Sequence, residues 1–170
     1  MKIKLFAASV ILVFLVAPSF AGMFNVAARA GLYTANQAGA STSIMYGLAG
    51  DAHLTDNLTV RGAVDTTTYS VNGVQTTYTP VSLDLIYSQN IIGILTPYLG
   101  AGGTYSTTTV GGVSRQTSGA ELLAGAKFSF LTLNAGAEIR YIIPDLNHTN
   151  IGSSVVTTYM SGSFAQSFSF

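Results

Sequence analysis

Wherever this chain alternates in character, its charges and its apolar residues fall on opposite parities. Phe24, Val26, Ala28, Ala30 and Leu32 share one parity and Arg29 sits on the other. Ile44, Tyr46, Leu48, Ala52 and Leu54 oppose Asp51 and His53, and Leu58, Val60 and Val64 oppose Arg61 and Asp65. Val81, Leu83, Leu85 and Tyr87 oppose Asp84. Leu122, Ala124, Ala126 and Phe128 oppose Glu121 and Lys127, and Leu133 to Tyr141 by twos oppose Glu138 and Arg140. A period of two belongs to β-strands, whose side chains point alternately to the two faces of a sheet. Eight such segments are read: Phe24–Thr34, Ser43–Leu54, Leu58–Tyr69, Thr76–Tyr87, Leu95–Tyr105, Ser118–Phe128, Thr132–Ile142 and Thr157–Phe170. A tilted strand crosses a bilayer in about 9–11 residues, and these lengths suffice. The expected fold is therefore all-β, an eight-stranded antiparallel up-and-down transmembrane β-barrel.

A soluble barrel would show the same alternation with its faces exchanged, the apolar row inside and the charges in water. Charged residues make up only 8% of the chain, too few to solubilise an exterior. The aromatic residues also sort along the strands. Phe24, Phe128, Phe130, Phe164, Phe168 and Phe170 gather towards one end, and Tyr33, Tyr46, Tyr69, Tyr78, Tyr105, Tyr141 and Tyr159 towards the other. That is read as two interfacial girdles. Connections alternate in length as well. Thr55–Asn57, Ser88–Ile94 and Ser129–Leu131 are mostly tight, whereas Ala35–Thr42, Ser70–Gln75, Tyr105–Thr117 and Ile143–Val156 are read as external loops. Asn72-Gly73 is expected to make a tight hairpin turn.

The ends fit an exported chain. Lys2 and Lys4 precede the apolar run Leu5–Ala17 and then Pro18-Ser19-Phe20-Ala21. This pattern describes a secretory signal peptide over residues 1–21, with a mature domain at 22–170 reached by Sec-type export. Without Lys2 and Lys4 the mature chain keeps five basic and seven acidic residues, a balance that gives no case for nucleic acid. There is no cysteine, which excludes disulfides and thiolate metal sites. At the other end Met160, Gly162, Phe164, Phe168 and Phe170 lie on one parity, Gln166 being the one departure. A terminal aromatic preceded by apolar residues at every second position resembles the C-terminal signature of outer-membrane β-barrel proteins. The resemblance implies that Phe164, Phe168 and Phe170 form an assembly signal read by the barrel-assembly machinery.

In such a barrel Arg29, Asp51, Arg61, Asp65, Asp84, Glu121, Lys127, Glu138 and Arg140 face the lumen. An eight-stranded barrel is only wide enough for side chains to fill. Charges enclosed there must pair, because burying one alone is costly. The spacing of Arg61 and Asp65, and of Glu138 and Arg140, suggests pairs within a strand. Two readings of this interior follow: a closed polar plug, or a narrow channel for ions or small solutes.

Pro97-Tyr98-Leu99-Gly100-Ala101-Gly102 and Gly119-Ala120-Glu121-Leu122-Leu123-Ala124-Gly125 look like the Gly-rich strands of the OmpA membrane-domain and OmpX type of small outer-membrane barrel. The resemblance covers the mature chain. It implies the outer membrane of a Gram-negative bacterium, contact with lipid and lipopolysaccharide, a monomer, and a structural or surface-interacting role without a cofactor. Arg115 is the basic residue of the external loops and the candidate for lipopolysaccharide phosphates.

An enzyme is not expected. Only two histidines occur. His148 with Asp145 and Ser153 or Ser154 lacks an anchored hydrogen-bond sequence, and its neighbour Thr149 departs from the His-x-Ser motif of lipid deacylase barrels. His53 beside Asp51 lacks further metal ligands and is read as an interior hydrogen-bonding residue. Cleavage after Ala21 predicts that sequencing of the exported protein begins at Gly22; a mature chain that still starts at Met1 would contradict the signal-peptide reading.

Overall fold

The structure is a computed structural model that describes residues 24–91, 94–130, 133–146 and 153–163. The signal-peptide stretch 1–21 lies outside the described residues. The strands are β1 (Phe24–Ala35), β2 (Ser43–His53), β3 (Leu58–Val71), β4 (Val74–Ser88), β5 (Leu95–Val110), β6 (Val113–Phe130), β7 (Leu133–Ile143) and β8 (Ser153–Ser163). Each pairs antiparallel with the next, and β8 pairs back onto β1, so the sheet closes on itself. Closure removes the free edges that an open sheet exposes.

Two hairpins are longer than the alternation suggests. The segment Tyr105–Thr117, read as a loop, continues β5 and β6 to a Gly111-Gly112 turn. Six of its thirteen residues are Thr or Ser, and β-branched Thr favours extended backbone. Hydroxyls bridge the two strands, Ser106 to Thr117 at 3.0 Å and Thr109 to Ser114 at 2.8 Å. Composition alone marks such a stretch as loop; the cross-strand pairing makes it strand. The other long hairpin turns at Asn72-Gly73, with φ of 49° and 83°. Two successive positive φ values give the mirror-image turn whose twist matches the strands it joins.

The parity of the sequence becomes the two faces of the barrel. Val26, Leu32, Ile44, Leu48, Leu83, Leu85, Leu99, Leu122 and Ile139 are exposed outward, Leu99 at 66%. They join in lateral rows, such as Ala52–Val60–Leu85–Ala101–Leu122–Tyr141. A continuous apolar exterior of this kind does not suit water. The row Val64–Val81–Tyr105 is followed at the next outward level by Thr66, Thr79, Thr107 and Gln116, then by Thr68, Thr77, Thr109 and Ser114. The apolar belt thus ends abruptly, and hydroxyls cover the hairpins beyond it.

The interior is layered. Near the long hairpins Tyr33, Tyr69 and Tyr78 pack together with Met45 and Ile142. The ring centroid of Tyr33 lies 5.2 Å from that of Tyr69 and 5.5 Å from that of Tyr78. This corrects the reading of these three tyrosines as girdle residues. They are inward, at 9% exposure or less, because each sits on the charge-bearing parity of its strand. Among the described residues Tyr46, Tyr87 and Tyr141 are the exposed tyrosines. Towards the other end Ala27, Ala49, Ala63, Ile86, Tyr98 and Leu123 form a second buried cluster.

Gly73 has open space where a Cβ would go, so a side chain there costs backbone strain alone. Gly73→Ala is expected to lower stability by about 1–2 kcal/mol, read from the urea midpoint of the refolded protein, while Gly103→Ala, also in open space, leaves the midpoint unchanged.

Candidate functional site

Between the aromatic layer and the small-residue cluster lie the charges. Arg29, Arg61, Asp65, Asp84, Glu121, Glu138 and Arg140 are each 4% exposed or less. Asp51 and Lys127 are half-buried. The period-two rule delivers all nine to the inside. The shape of the network is decided by which strands they come from and by what lies between them.

Glycines decide the second point. Gly47 on β2 pairs with Arg29 on β1 and with Asp65 on β3. A Cβ on Gly47 would collide with Asp65 Oδ1, so the carboxylate occupies the space a side chain would fill. Arg29 reaches Asp65 across that gap, with Nε at 3.2 Å from Oδ1 and Nη2 bonded to Oδ2. Gly125 on β6 lies between Tyr98 on β5 and Glu138 on β7. A Cβ there would meet the Tyr98 hydroxyl at 2.5 Å. The Tyr98 hydroxyl donates to Glu138 Oε2 at 2.8 Å across it. In both rows the missing side chain lets residues two strands apart touch.

The remaining pairs span the barrel. Arg61 on β3 donates from Nη1 to Glu138 Oε2 on β7 at 2.6 Å. Its other nitrogens hold Asp51 on β2, Nε to Oδ1 at 2.7 Å and Nη2 to Oδ2 at 3.0 Å. This is a two-pronged guanidinium–carboxylate pair, the strong kind. The guanidinium also lies 5.7 Å from the Tyr98 ring centroid, within cation–π range. Arg140 on β7 reaches back to Asp65 Oδ2 on β3 at 2.9 Å and to the Met45 sulfur at 3.5 Å. Glu138 Oε1 is 3.8 Å from Arg29 Nη1 and 3.5 Å from Arg140 Nε. Three arginines thus converge on Glu138, and two of them on Asp65. The expected Glu138–Arg140 pairing within β7 is present. Arg61 instead bonds Asp51 and Glu138, and Asp65 goes to Arg29 and Arg140.

A cavity of about 20 Å³ opens at the end distal to the long hairpins, lined by Asp51, His53, Thr59, Arg61, Tyr98 and Lys127 among others. That is room for about one water molecule. Asn25 Nδ2 donates to His53 Nε2 at 2.7 Å, and His53 Nδ1 meets the Thr59 hydroxyl at 2.8 Å. An amide nitrogen only donates, so Nε2 accepts and Nδ1 carries the proton. Both ring nitrogens are used, and the ring serves as an interior hydrogen-bonding group. Arg115 sits outside the barrel, 70% exposed at its side chain, with Nη2 3.1 Å from Asp145 Oδ2.

No family model and no curated protein matches the chain. Solved structures do. The neisserial surface protein A superposes with a TM-score of 0.70 at 21% identity, over 83% of this chain and 97% of that one. The chain has the fold of the small outer-membrane β-barrels. The N-terminal β-barrel domain of Pseudomonas aeruginosa OprF gives a TM-score of 0.57 at 24% identity, covering 82% of this chain and 97% of the domain. Ail, the attachment invasion locus protein of Yersinia pestis, gives 0.57 at 15% identity, covering 85% and 99%. At such identities the likeness carries the architecture and not the chemistry of the interior.

Phe164, Phe168 and Phe170, the expected assembly signal, lie outside the described residues, as does His148. Sequence reasoning missed Tyr98 as a partner of Glu138, although its parity matches that of Gly100 and Gly102. In the sequence Gly125 reads as part of a Gly-rich strand.

Glu138 is the carboxylate on which the network turns. Glu138→Gln leaves three buried guanidinium groups short of an anion and is expected to destabilise the folded barrel by about 3–5 kcal/mol. Asp56→Asn, in an exposed turn, should leave the urea midpoint where it is.

Proposed function

We propose that this chain is an eight-stranded transmembrane barrel of the Gram-negative outer membrane with a closed polar lumen and a structural or surface-interacting role. The observation that carries the reading is the pair of cross-barrel ion contacts, Arg61 to Glu138 and Arg140 to Asp65, which join β3 to β7 through the middle of the lumen. With the tyrosine layer above and the Ala-rich cluster below, they leave the path filled at three levels. The apolar exterior supports contact with lipid hydrocarbon, and the hydroxyl rows support an aqueous or headgroup setting for the long hairpins. The reading includes export through residues 1–21, folding by the barrel-assembly machinery, and a monomer in the membrane. Arg115, exposed on the β5–β6 hairpin, is the group placed for lipopolysaccharide phosphates. The reading is non-enzymatic.

The small cavity at the far mouth favours one alternative, a narrow channel for ions or small solutes in which Asp51, Arg61 and Lys127 form the vestibule. Single-channel recording on the refolded mature chain in a planar bilayer separates the two. The closed reading predicts a silent bilayer with protein whose folding is verified by a heat-dependent gel shift. Discrete, reproducible steps that change when Glu138 or Arg140 is neutralised would establish the channel instead.

A further inference from the structure

The network leaves two carboxyl groups with oxygens that no hydrogen-bond donor reaches among the described residues. Asp84 on β4 and Glu121 on β6 flank Gly102 on β5 in one lateral row, and each is 2% exposed. A Cβ on Gly102 would collide with Asp84 Oδ1, so the Asp84 carboxyl lies over the glycine. From there it faces Glu121 in the same row, with no β5 side chain between the two carboxyl groups. Asp84 Oδ1 and both Glu121 oxygens have no hydrogen-bond donor among the described residues.

The neighbouring groups are committed elsewhere. Ser82 Oγ donates to Asp84 Oδ2 at 3.1 Å, which leaves Oδ1. Arg61 is beside Asp84 in register, but its guanidinium is bonded to Asp51 and Glu138. Arg140 Nη1 makes an ion contact with Glu121 Oε2 at 3.7 Å, beyond hydrogen-bond distance, and gives its hydrogen bond to Asp65. One inward step along β5, the Thr104 hydroxyl is 5% exposed and has no hydrogen-bond partner among the described residues. It leans across to β6, where a Cβ on Gly119 would meet its Oγ1 at 2.6 Å, two residues from Glu121.

Two ionised carboxylates are both acceptors and make no bond to each other. Held together away from water they do not both ionise. One proton turns the contact into an O–H···O⁻ hydrogen bond, among the stronger kinds. The charge balance of the interior asks for the same proton. Among the buried groups Arg29, Arg61 and Arg140 face Asp65, Asp84, Glu121 and Glu138, and half-buried Lys127 offsets half-buried Asp51, so one anion is uncompensated until a proton is bound.

We propose that Asp84 and Glu121 form a proton-binding site in which one proton, taken up from water as the barrel folds, is held between the two carboxyl groups over Gly102. The inference rests on the closed-lumen reading, since a dry interior is what makes the extra charge costly. It gives that interior zero net charge.

Infrared spectroscopy of the folded protein in lipid at pH 7 tests it. The carbonyl stretch of a protonated carboxylic acid, separate from the carboxylate bands, is expected in the wild type and is expected to vanish in both Asp84→Asn and Glu121→Gln. The wild-type spectrum alone overturns the proposal if it lacks that band, whatever the variants do. A band that survives in both variants also overturns it. Absence of the band together with stability that depends on added sodium or calcium chloride would put an inorganic cation there and reject the proton. A barrel that conducts yet shows the band, lost in both variants, would refute the closed lumen and leave the proton site standing.

Discussion

A charge buried in a narrow barrel must find its opposite inside the same barrel. That constraint organises this molecule. The lipid-compatible exterior uses up the apolar parity of the charge-bearing strands, so their polar parity is forced inward. Once inside, a guanidinium without an anion is far more costly than a surface charge. The nine ionisable side chains are therefore a mutual requirement. Arg61 and Glu138 illustrate it: one on β3, the other on β7, they meet at 2.6 Å in the centre. Each also holds a second partner, Asp51 for the arginine and Tyr98 for the carboxylate. Rotamer freedom is lost on both sides, and what is gained is a fixed cross-section.

Small residues make the network possible. Side chains that bridge adjacent strands need no special arrangement, but bridging over an intervening strand needs that strand to be bare. Gly47, Gly102 and Gly125 each supply the gap, under Asp65, Asp84 and Tyr98 respectively. The Ala27–Ala49–Ala63 row keeps the wall low in the same way, leaving room for Tyr98 and Leu123 from the far side. The interior is thus asymmetric. Large polar groups project from β3 and β7, and small residues line much of the wall between.

The period of two made the barrel architecture legible from the sequence. It also assigned each charge to its face, because the alternation of side chains in a strand is a local property. What it could not supply was pairing. Arg61 and Asp65 are four apart on one strand face and read as natural partners, yet each bonds elsewhere, since strand tilt and register bring other strands nearer to their tips. The tyrosines show the opposite failure. Parity alone places Tyr33, Tyr69 and Tyr78 inside, but grouping aromatics by depth overrode it. The run Thr107–Thr109 read as loop because its strand character comes from cross-strand hydroxyl contacts, which composition does not carry.

The fold depends on the central ion pairs acting across the lumen. A double-mutant cycle on Arg61→Met and Glu138→Gln, with unfolding free energies measured in lipid, tests this directly. A pair that closes the barrel predicts that the double mutant is more stable than the sum of the single losses implies, by about 1–3 kcal/mol. Additive losses, within about 0.5 kcal/mol, would mean that the two side chains do not act on each other.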